Sequence, residues 1–274
     1  MFDLAASAAS AAVADPIASL ETWVRRNFGI AHADHHADHF ADRVTALARQ
    51  HGIDVATLLQ RTLAGDRAVI IALAEAVSTN YTMFFREEEL FAHLTRVIVP
   101  RLPDGEIRIW SAAAASGDEA YSLAITLLEA LGPAAAPRIR ILGTDLSERQ
   151  IRSAEAAVYP PVHLTKVSTE RRRRWFRPTG LGQHAVEPEA RGLCTFRRFN
   201  LTQAEWPFTQ RFHVVFLRNV LYYFEPDVRR RVLEAAFDVT EPGGWLVTSL
   251  TEPLLDIETR WTPIQPAVYR RGPA

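Results

Sequence analysis

The stretch IRIWSAAAASGDE, residues 107–119, decides the fold of this chain. Its first part, IRIW, is rich in β-branched and aromatic residues and predicts a short strand. A run of small residues follows at 111–117, and the acids Asp118 and Glu119 then begin a helical stretch. A strand, a short loop and a helix form the repeating unit of an open parallel sheet, in which ligands bind where the strands end. We therefore expect the functional site to begin at this loop.

Short β-rich runs recur after this stretch, and helical stretches separate several of them. The strands are predicted at RIRILGTD (138–145), FHVVFLRN (212–219) and GWLVTSL (244–250), and the helices at 118–131, 147–157 and 226–240. Strands that alternate with helices predict a mostly parallel sheet covered on both faces. The fold class predicted for residues 107–274 is therefore doubly wound α/β.

The alternation fails at about residues 160–199. Two prolines at 160–161, four arginines at 171–174 and several glycines predict a short helix and a hairpin, inserted as a small β-subdomain. The arginines are more typical of a solvated helical face than of a docking surface.

Apolar residues recur at helical spacing before the first strand, which predicts a small all-helical domain. Asp15 followed by Pro16 is typical of a helix start, and Asp54 can cap a later helix. The predicted segments are a loose tail at 1–14, the helical domain at 15–95 and a linker at 96–106.

The composition excludes several classes of protein. The 274 residues are 48% hydrophobic and 23% charged, and a formal net charge of -1 gives no global field for attracting nucleic acid or an anionic membrane. We find no apolar run of about 18 residues and no typical secretory signal in residues 1–15. Cys194 is the single cysteine, so no internal disulfide can form. We expect a soluble, cytoplasmic protein without nucleic-acid binding or membrane insertion.

The loop after the first strand favours a nucleoside ligand over a dinucleotide. It lacks a GxGxxG pattern, and Asp118 and Glu119 would repel a pyrophosphate at the start of the helix. Asp145 ends the next strand, where a carboxylate can accept hydrogen bonds from both ribose hydroxyls. A helix N-cap is the alternative interpretation of Asp145 alone. Together these features favour S-adenosylmethionine over NAD.

Four stretches carry a more specific signal when they are taken in order. They are STNYTMFFRE (78–87), WSAAA through GDEAYS (110–122), GTD (143–145), and FLRNV through YF (216–224) followed by PGG (242–244). With this pattern the chain resembles the CheR family of chemoreceptor glutamate O-methyltransferases over about residues 17–269. The resemblance implies a Rossmann-like class I methyltransferase sheet, with a small N-terminal helical domain and an inserted β-subdomain.

The resemblance also implies the ligands and the site residues. The cofactor would be S-adenosyl-L-methionine, the product S-adenosyl-L-homocysteine, and the partner the cytoplasmic helices of a methyl-accepting chemoreceptor. The implied cofactor-binding residues are Asn80, Thr82, Arg86, Ala112, Gly117, Asp118, Glu119, Asp145, Asn200, Leu201, Asn219 and Val220. Arg86, Arg218 and Tyr223 are the implied catalytic residues. Taken without the resemblance, Val220 is typical of core packing and Arg86 of a surface ion pair.

A glutamate acceptor is already ionised at neutral pH, because its ordinary pKa is about 4.3. Methyl transfer to it therefore needs alignment and exclusion of water rather than a general base. Tight contacts to two cations would stabilise the ground state. We therefore expect one of Arg86 and Arg218, and not both, to contact the acceptor.

The chain departs from the family pattern in several places. Asp118 and Leu217 stand where relatives often have Glu and Cys, and SLTE at 249–252 stands where they have Gly-His-Ser-Glu. The second predicted helix keeps only Arg43 and Arg49 of a usually more basic surface. A histidine-rich stretch precedes these arginines and is more typical of a polar, exposed helix face than of a metal site: His32, Asp34, His35, His36, Asp38 and His39.

These departures leave two alternatives open. The first is a methyltransferase of the same fold with a different protein or small-molecule acceptor, which the depleted basic helix favours. The second is a sensor that binds the cofactor without turnover, which the altered segment at 249–252 favours.

Overall fold

A computed structural model describes residues 15–30, 37–77, 81–254 and 257–272. No helix in these ranges is long and apolar enough to cross a membrane. Contacts divide the chain into one unit of residues 1–27 and 32–77 and a second unit of residues 28–31 and 78–274.

The first unit is helical. Its helices are α1 (Pro16–Phe28), whose last residue belongs to the second unit, α2 (Ala37–Gln50), α3 (Val55–Leu63) and α4 (Arg67–Val77). Leu20, Val24 and Val44 are fully buried, as the helical spacing of apolar residues requires. The Asp54 carboxylate accepts a hydrogen bond from the Thr57 N–H at 2.7 Å, which confirms it as the cap of α3. A domain boundary at residue 95 stays a prediction.

The second unit contains the remaining helices and all the strands of the described chain. The helices are α5 (Glu88–His93), α6 (Asp118–Leu131), α7 (Glu148–Ala156), α8 (Thr169–Trp175), α9 (Pro188–Arg191) and α10 (Pro226–Asp238). The strands are β1 (Ile107–Ala112), β2 (Ile139–Asp145), β3 (Val158–Tyr159), β4 (Phe176–Pro178), β5 (His184–Val186), β6 (Cys194–Arg198), β7 (Phe212–Leu217), β8 (Thr240–Val247), β9 (Thr262–Gln265) and β10 (Val268–Arg270).

Seven strands form the large sheet in the order β6-β2-β1-β7-β8-β10-β9. The first five are parallel to one another, and β10 and β9 are antiparallel additions. The chain moves outward from β1 to β2 and β6, and then returns to place β7 on the other side of β1. This reversal makes the carboxyl ends of β1 and β7 the switch point of the sheet, where ligands bind in open α/β folds.

The predicted α/β class and its four strands are confirmed, and three strands of the large sheet were missed. Strand β6 pairs with β2 in the large sheet, although its residues fall in the range predicted for the insertion. The insertion instead forms a three-stranded antiparallel sheet in the order β3-β5-β4. The antiparallel strands β9 and β10 were also not predicted.

Both faces of β1, at the centre of the large sheet, are buried. Ile107 and Ile109 of β1 pack on one face with the apolar side of α6, while Trp110 and Ala112 pack on the other face with α10. This division follows from the alternation of side chains along a strand. The sheet is therefore held between helices, and only its ends and loops can offer polar groups to a ligand.

Candidate active site at the switch point

The loop at 113–117 connects β1 to α6 through three residues with positive φ. These angles are 61° at Ala113, 46° at Ala115 and 90° at Gly117. Left-handed backbone costs an alanine about 1–2 kcal/mol, so surrounding contacts must hold it in place. The end of β2 supplies two such contacts: the Ala114 N–H donates to the Thr144 carbonyl at 2.8 Å, and the Ala115 N–H donates to Asp145 Oδ2 at 2.9 Å.

Gly117 is required by space as well as by its φ angle. A Cβ atom at this position would lie 2.8 Å from the Cβ of Ala154. The backbone of the loop therefore packs directly against α7, and a side chain at this position would separate the two.

Asp145 lies at the end of β2, as predicted, and is almost fully buried. Its Oδ1 accepts from the Ser147 N–H at 2.9 Å, while Oδ2 holds Ala115. Burial raises the pKa of this carboxyl, and the backbone N–H donors oppose that shift. A carboxylate has about four acceptor positions, so these two bonds leave room for further donors.

The two acids at the start of α6 point to different partners. Asp118 is fully buried, with Oδ2 accepting from the Ser116 hydroxyl at 2.7 Å and Oδ1 bonded to His163 Nδ1 at 2.6 Å. Glu119 instead accepts from the Ser111 hydroxyl at 2.7 Å and from Arg218. Of the two side chains, only Glu119 retains any exposed surface, with 13% exposure.

Arg218 follows β7 and is the centre of a buried polar network. Its side chain is 2% exposed; Nη1 contacts Glu119 Oε2 at 2.8 Å, and Nη2 lies 3.5 Å from Glu87 Oε2. Nη2 also donates to the Arg86 carbonyl at 2.5 Å. Among the residues that the structure describes, none offers a hydrogen-bond partner to the buried Nε atom of Arg218. The guanidinium therefore joins the end of β7 to the start of α6 and to the segment before α5.

Glu87 extends this network to the segment after β8. Its carboxylate accepts from the Ser249 hydroxyl at 2.8 Å and from the Leu250 N–H at 2.9 Å. Burial alone would raise the pKa of Glu87, but the Leu250 N–H and Arg218 hold it below the usual value.

Glu252 closes the network from the other end of the same segment. Its carboxylate accepts from the backbone N–H of Asn219 at 2.6 Å and of Tyr222 at 3.2 Å. Asn219 has a φ of 56°, so this carboxylate holds a left-handed turn directly after β7. Burial raises the pKa of Glu252. Sequence reasoning missed Glu87 and Glu252, although Glu252 keeps the last position of the family's Gly-His-Ser-Glu stretch.

An arginine and three tyrosines next to this network are at least partly exposed. Arg86 is partly exposed, donates from Nη1 to the Tyr81 carbonyl at 3.0 Å and lies 5.6 Å from the centre of the Tyr81 ring. The rings of Tyr222 and Tyr223 are 4.3 Å apart and their hydroxyls 3.2 Å apart. Burial raises the pKa of Tyr222, and the Tyr223 hydroxyl adds to this shift.

The other predicted cofactor-binding residues that the structure describes are buried or partly buried. Ala112 and Leu201 are buried, Thr82 is partly buried, and Val220 packs on the apolar layer that contains Trp110. Asn200 follows β6, and its Oδ1 accepts from the N–H of Thr202 at 3.0 Å. Asn80 lies outside the described residues, as do His32, Asp34, His35 and His36, and nothing is described of the Asp38 side chain. His39 is exposed on α2.

The four arginines before β4 are mostly engaged within the second unit. Arg171 contacts Glu129 at 2.8 Å, Arg172 donates to the Leu164 carbonyl, and Arg174 pairs with Glu189. They are therefore only partly the solvated face that the sequence predicts.

Comparisons with known proteins give a consistent result. The family described as "CheR methyltransferase, SAM binding domain" matches residues 80–269. A chemotaxis protein methyltransferase of Vibrio parahaemolyticus is 33% identical over 244 residues, which cover 86% of this chain and 88% of that protein. Chemotaxis protein methyltransferase 1 of Pseudomonas aeruginosa is 31% identical over 253 residues, which cover 89% of this chain and 92% of that protein.

Proposed function

This chain belongs to the CheR methyltransferase family, and from this premise we propose that it transfers a methyl group from S-adenosyl-L-methionine to glutamate side chains of a chemoreceptor's cytoplasmic helices. The observation that carries the proposal is the partly exposed Arg86, whose carbonyl accepts from the buried Arg218 and whose charge acts on Tyr222 of the paired tyrosines. The products are a glutamyl methyl ester and S-adenosyl-L-homocysteine. We place the reaction in the cytoplasm, where such receptor helices lie.

The residues at the switch point fit the cofactor. The small side chains of the loop allow a ligand to approach its backbone closely, and a Cβ at Gly117 would displace the loop by colliding with Ala154 of α7. Asp145 keeps acceptor capacity for a ribose hydroxyl, and the buried Nε of Arg218 has no partner within the described residues. When bound, the cofactor supplies an electrophilic methyl group on a sulfonium ion.

The acceptor carboxylate is the nucleophile and needs no base, because it is ionised at neutral pH. We assign Arg86 to hold it, since Arg86 is partly exposed and its hydrogen bond to the Tyr81 carbonyl uses only part of its donor capacity. Tyr223 would donate a hydrogen bond from its hydroxyl to the same carboxylate. These contacts would align the acceptor and exclude water, which is the contribution that this displacement requires.

We assign Arg218 a positioning role. Its guanidinium is buried and contacts two carboxylates and a carbonyl, so it has no exposed face for the acceptor. Of the two arginines, we therefore assign Arg86 as the one that contacts the acceptor. Asp118 is fully buried, so we propose that it fixes the loop and that Glu119 is the acid nearer to the cofactor.

Receptor docking rests on fewer charges than the family pattern implies. Arg49 is exposed on α2, whereas Arg43 donates to the Val77 carbonyl at 3.2 Å. Arg171 and Arg174 are paired with glutamates of their own unit. The small number of basic side chains left for docking favours a different acceptor, so the test below also includes that alternative.

The test is transfer of labelled methyl from S-adenosyl-L-methionine to a chemoreceptor cytoplasmic fragment, followed by alkaline release of methanol. We expect label in the fragment, release by alkali, and loss of both when the fragment's acceptor glutamates are changed to alanine. Binding of S-adenosyl-L-homocysteine without labelling of the fragment would refute the proposed acceptor. Labelling of another protein or of a small molecule would identify the alternative.

A further inference from the structure

Two side chains from the start of the inserted segment reach the loop at 113–117 and the first residue of α6. The Tyr159 hydroxyl donates to the Ser116 carbonyl at 2.6 Å. His163 Nδ1 contacts Asp118 Oδ1 at 2.6 Å, and the second oxygen of that carboxylate accepts from the Ser116 hydroxyl. No sequence pattern singled out either Tyr159 or His163.

These bonds complete the support of a loop that is strained on its own. The end of β2 holds the N–H groups of Ala114 and Ala115, but those bonds stop one residue before Ser116. The next two residues, Ser116 and Gly117, lead into α6, and Gly117 has a φ of 90°. Tyr159 and His163 therefore hold the half of the loop that the end of β2 does not reach.

The charge on His163 matters because its partner is fully buried. A buried carboxylate without a cation or donors is strongly unfavourable. The hydrogen bond to Asp118 raises the pKa of His163, which outweighs the lowering by partial burial. The groups that face the imidazole are Asp118 and the ring of Tyr159, 5.6 Å away, and burial raises the pKa of Tyr159 far from the range in which His163 titrates. His163 is 24% exposed, so its proton exchanges with solvent.

We propose that Tyr159 and His163 are positioning residues for cofactor binding, which hold the loop at 113–117 in its binding conformation without touching the cofactor. The inference rests on the cofactor binding of the proposed function. It further implies that affinity for the cofactor depends on the protonation of His163. Because the pKa of His163 is raised, its charge is fully present below about pH 6.5 and is lost as the pH rises through the raised value, which weakens its hold on Asp118 and the loop.

The first arm of the test compares Tyr159→Phe with Tyr121→Phe by calorimetry with S-adenosyl-L-homocysteine. Tyr121 is a matched control, because it is also buried and its hydroxyl also donates to a carbonyl, that of Ala154, at 2.8 Å. We expect Tyr159→Phe to weaken binding about two- to tenfold, the effect of one net hydrogen bond, and Tyr121→Phe to leave it unchanged. Equal affinities for the two variants, with thermal unfolding confirming that both are folded, would overturn the role of Tyr159.

The second arm measures the same affinity between pH 6 and pH 9 for the wild type, His163→Gln and His51→Gln. His51 is exposed just after α2 and serves as the control. We expect wild type and His51→Gln to lose affinity about threefold or more as the pH rises, because the charge-assisted bond is lost, and His163→Gln to lose less. Parallel pH profiles for all three would overturn the role of His163. Failure of the wild type to bind would overturn the proposed function and this inference together, whereas normal binding with unaffected variants would overturn the inference alone.

Discussion

Replacing Arg218 with methionine would test whether the buried network holds the site together. The side chain of Arg218 is 2% exposed, and those of its partners Glu119 and Glu87 are 13% and 17% exposed. Removal of the guanidinium leaves both carboxylates without their cation in a largely dry environment. Breaking a buried pair in this way costs about 3–5 kcal/mol. For a chain of this size we expect the midpoint of thermal unfolding to fall by about 6–20 °C.

Arg230→Met provides the matched control. Arg230 pairs with Asp227 at 2.6 Å, as closely as Arg218 pairs with Glu119, but these two side chains are 56% and 78% exposed. Exposed pairs contribute about 0–1 kcal/mol, so the control should unfold close to the wild-type temperature. The double variant Arg218→Met with Glu119→Gln should recover part of the loss, because it removes one unpaired charge. A thermal scan in which Arg218→Met falls no further than Arg230→Met would refute the reasoning.

Four further substitutions address the cofactor and the acceptor. Asp145→Ala should weaken binding of S-adenosyl-L-homocysteine by about 1.5–3 kcal/mol, roughly tenfold or more, because it removes a charged acceptor; unchanged affinity in calorimetry would exclude Asp145 from the ribose site. Arg86→Ala and Tyr223→Phe should lower turnover of methyl transfer while the unfolding temperature stays near that of the wild type; a parallel loss of activity and stability would indicate structural roles instead. Gly117→Ala should lower both stability and cofactor affinity, since its Cβ would lie 2.8 Å from Ala154 at a φ of 90°; wild-type values of both quantities would show that the loop tolerates a side chain.

The strands that the sequence predicted are those with the strongest patterns. β1 and β7 are buried on both faces and read as short apolar runs, so they stand out from the polar segments around them. β6 has one fully buried residue, Phe196, and follows a region rich in prolines and arginines, which concealed it. All four residues of β9 are exposed, so no apolar pattern marks that strand.

The site was predictable in its location but only partly in its contacts. The small-residue loop and Asp145 lie at the predicted strand ends, because open sheets bring those ends to one edge. The direction of Asp118 was not predictable, since an acid that begins a helix can complement its dipole or turn to a partner such as His163. Glu87 contacts Ser249 across 162 residues of sequence, and no local spacing reveals such a pair.

The polar network draws on residues spread over most of the second unit, and this has a consequence for synthesis on the ribosome. Glu87, Glu119 and Arg218 emerge early enough to pair, but the turn that follows β7 is held by Glu252, which emerges 33 residues after Asn219. Domains fold as their residues are completed from the N-terminal side. A nascent chain therefore contains β1 and β7 before Glu252 is available to hold the turn after β7. Truncated products that stop before residue 252 are therefore expected to lack methyl-transfer activity.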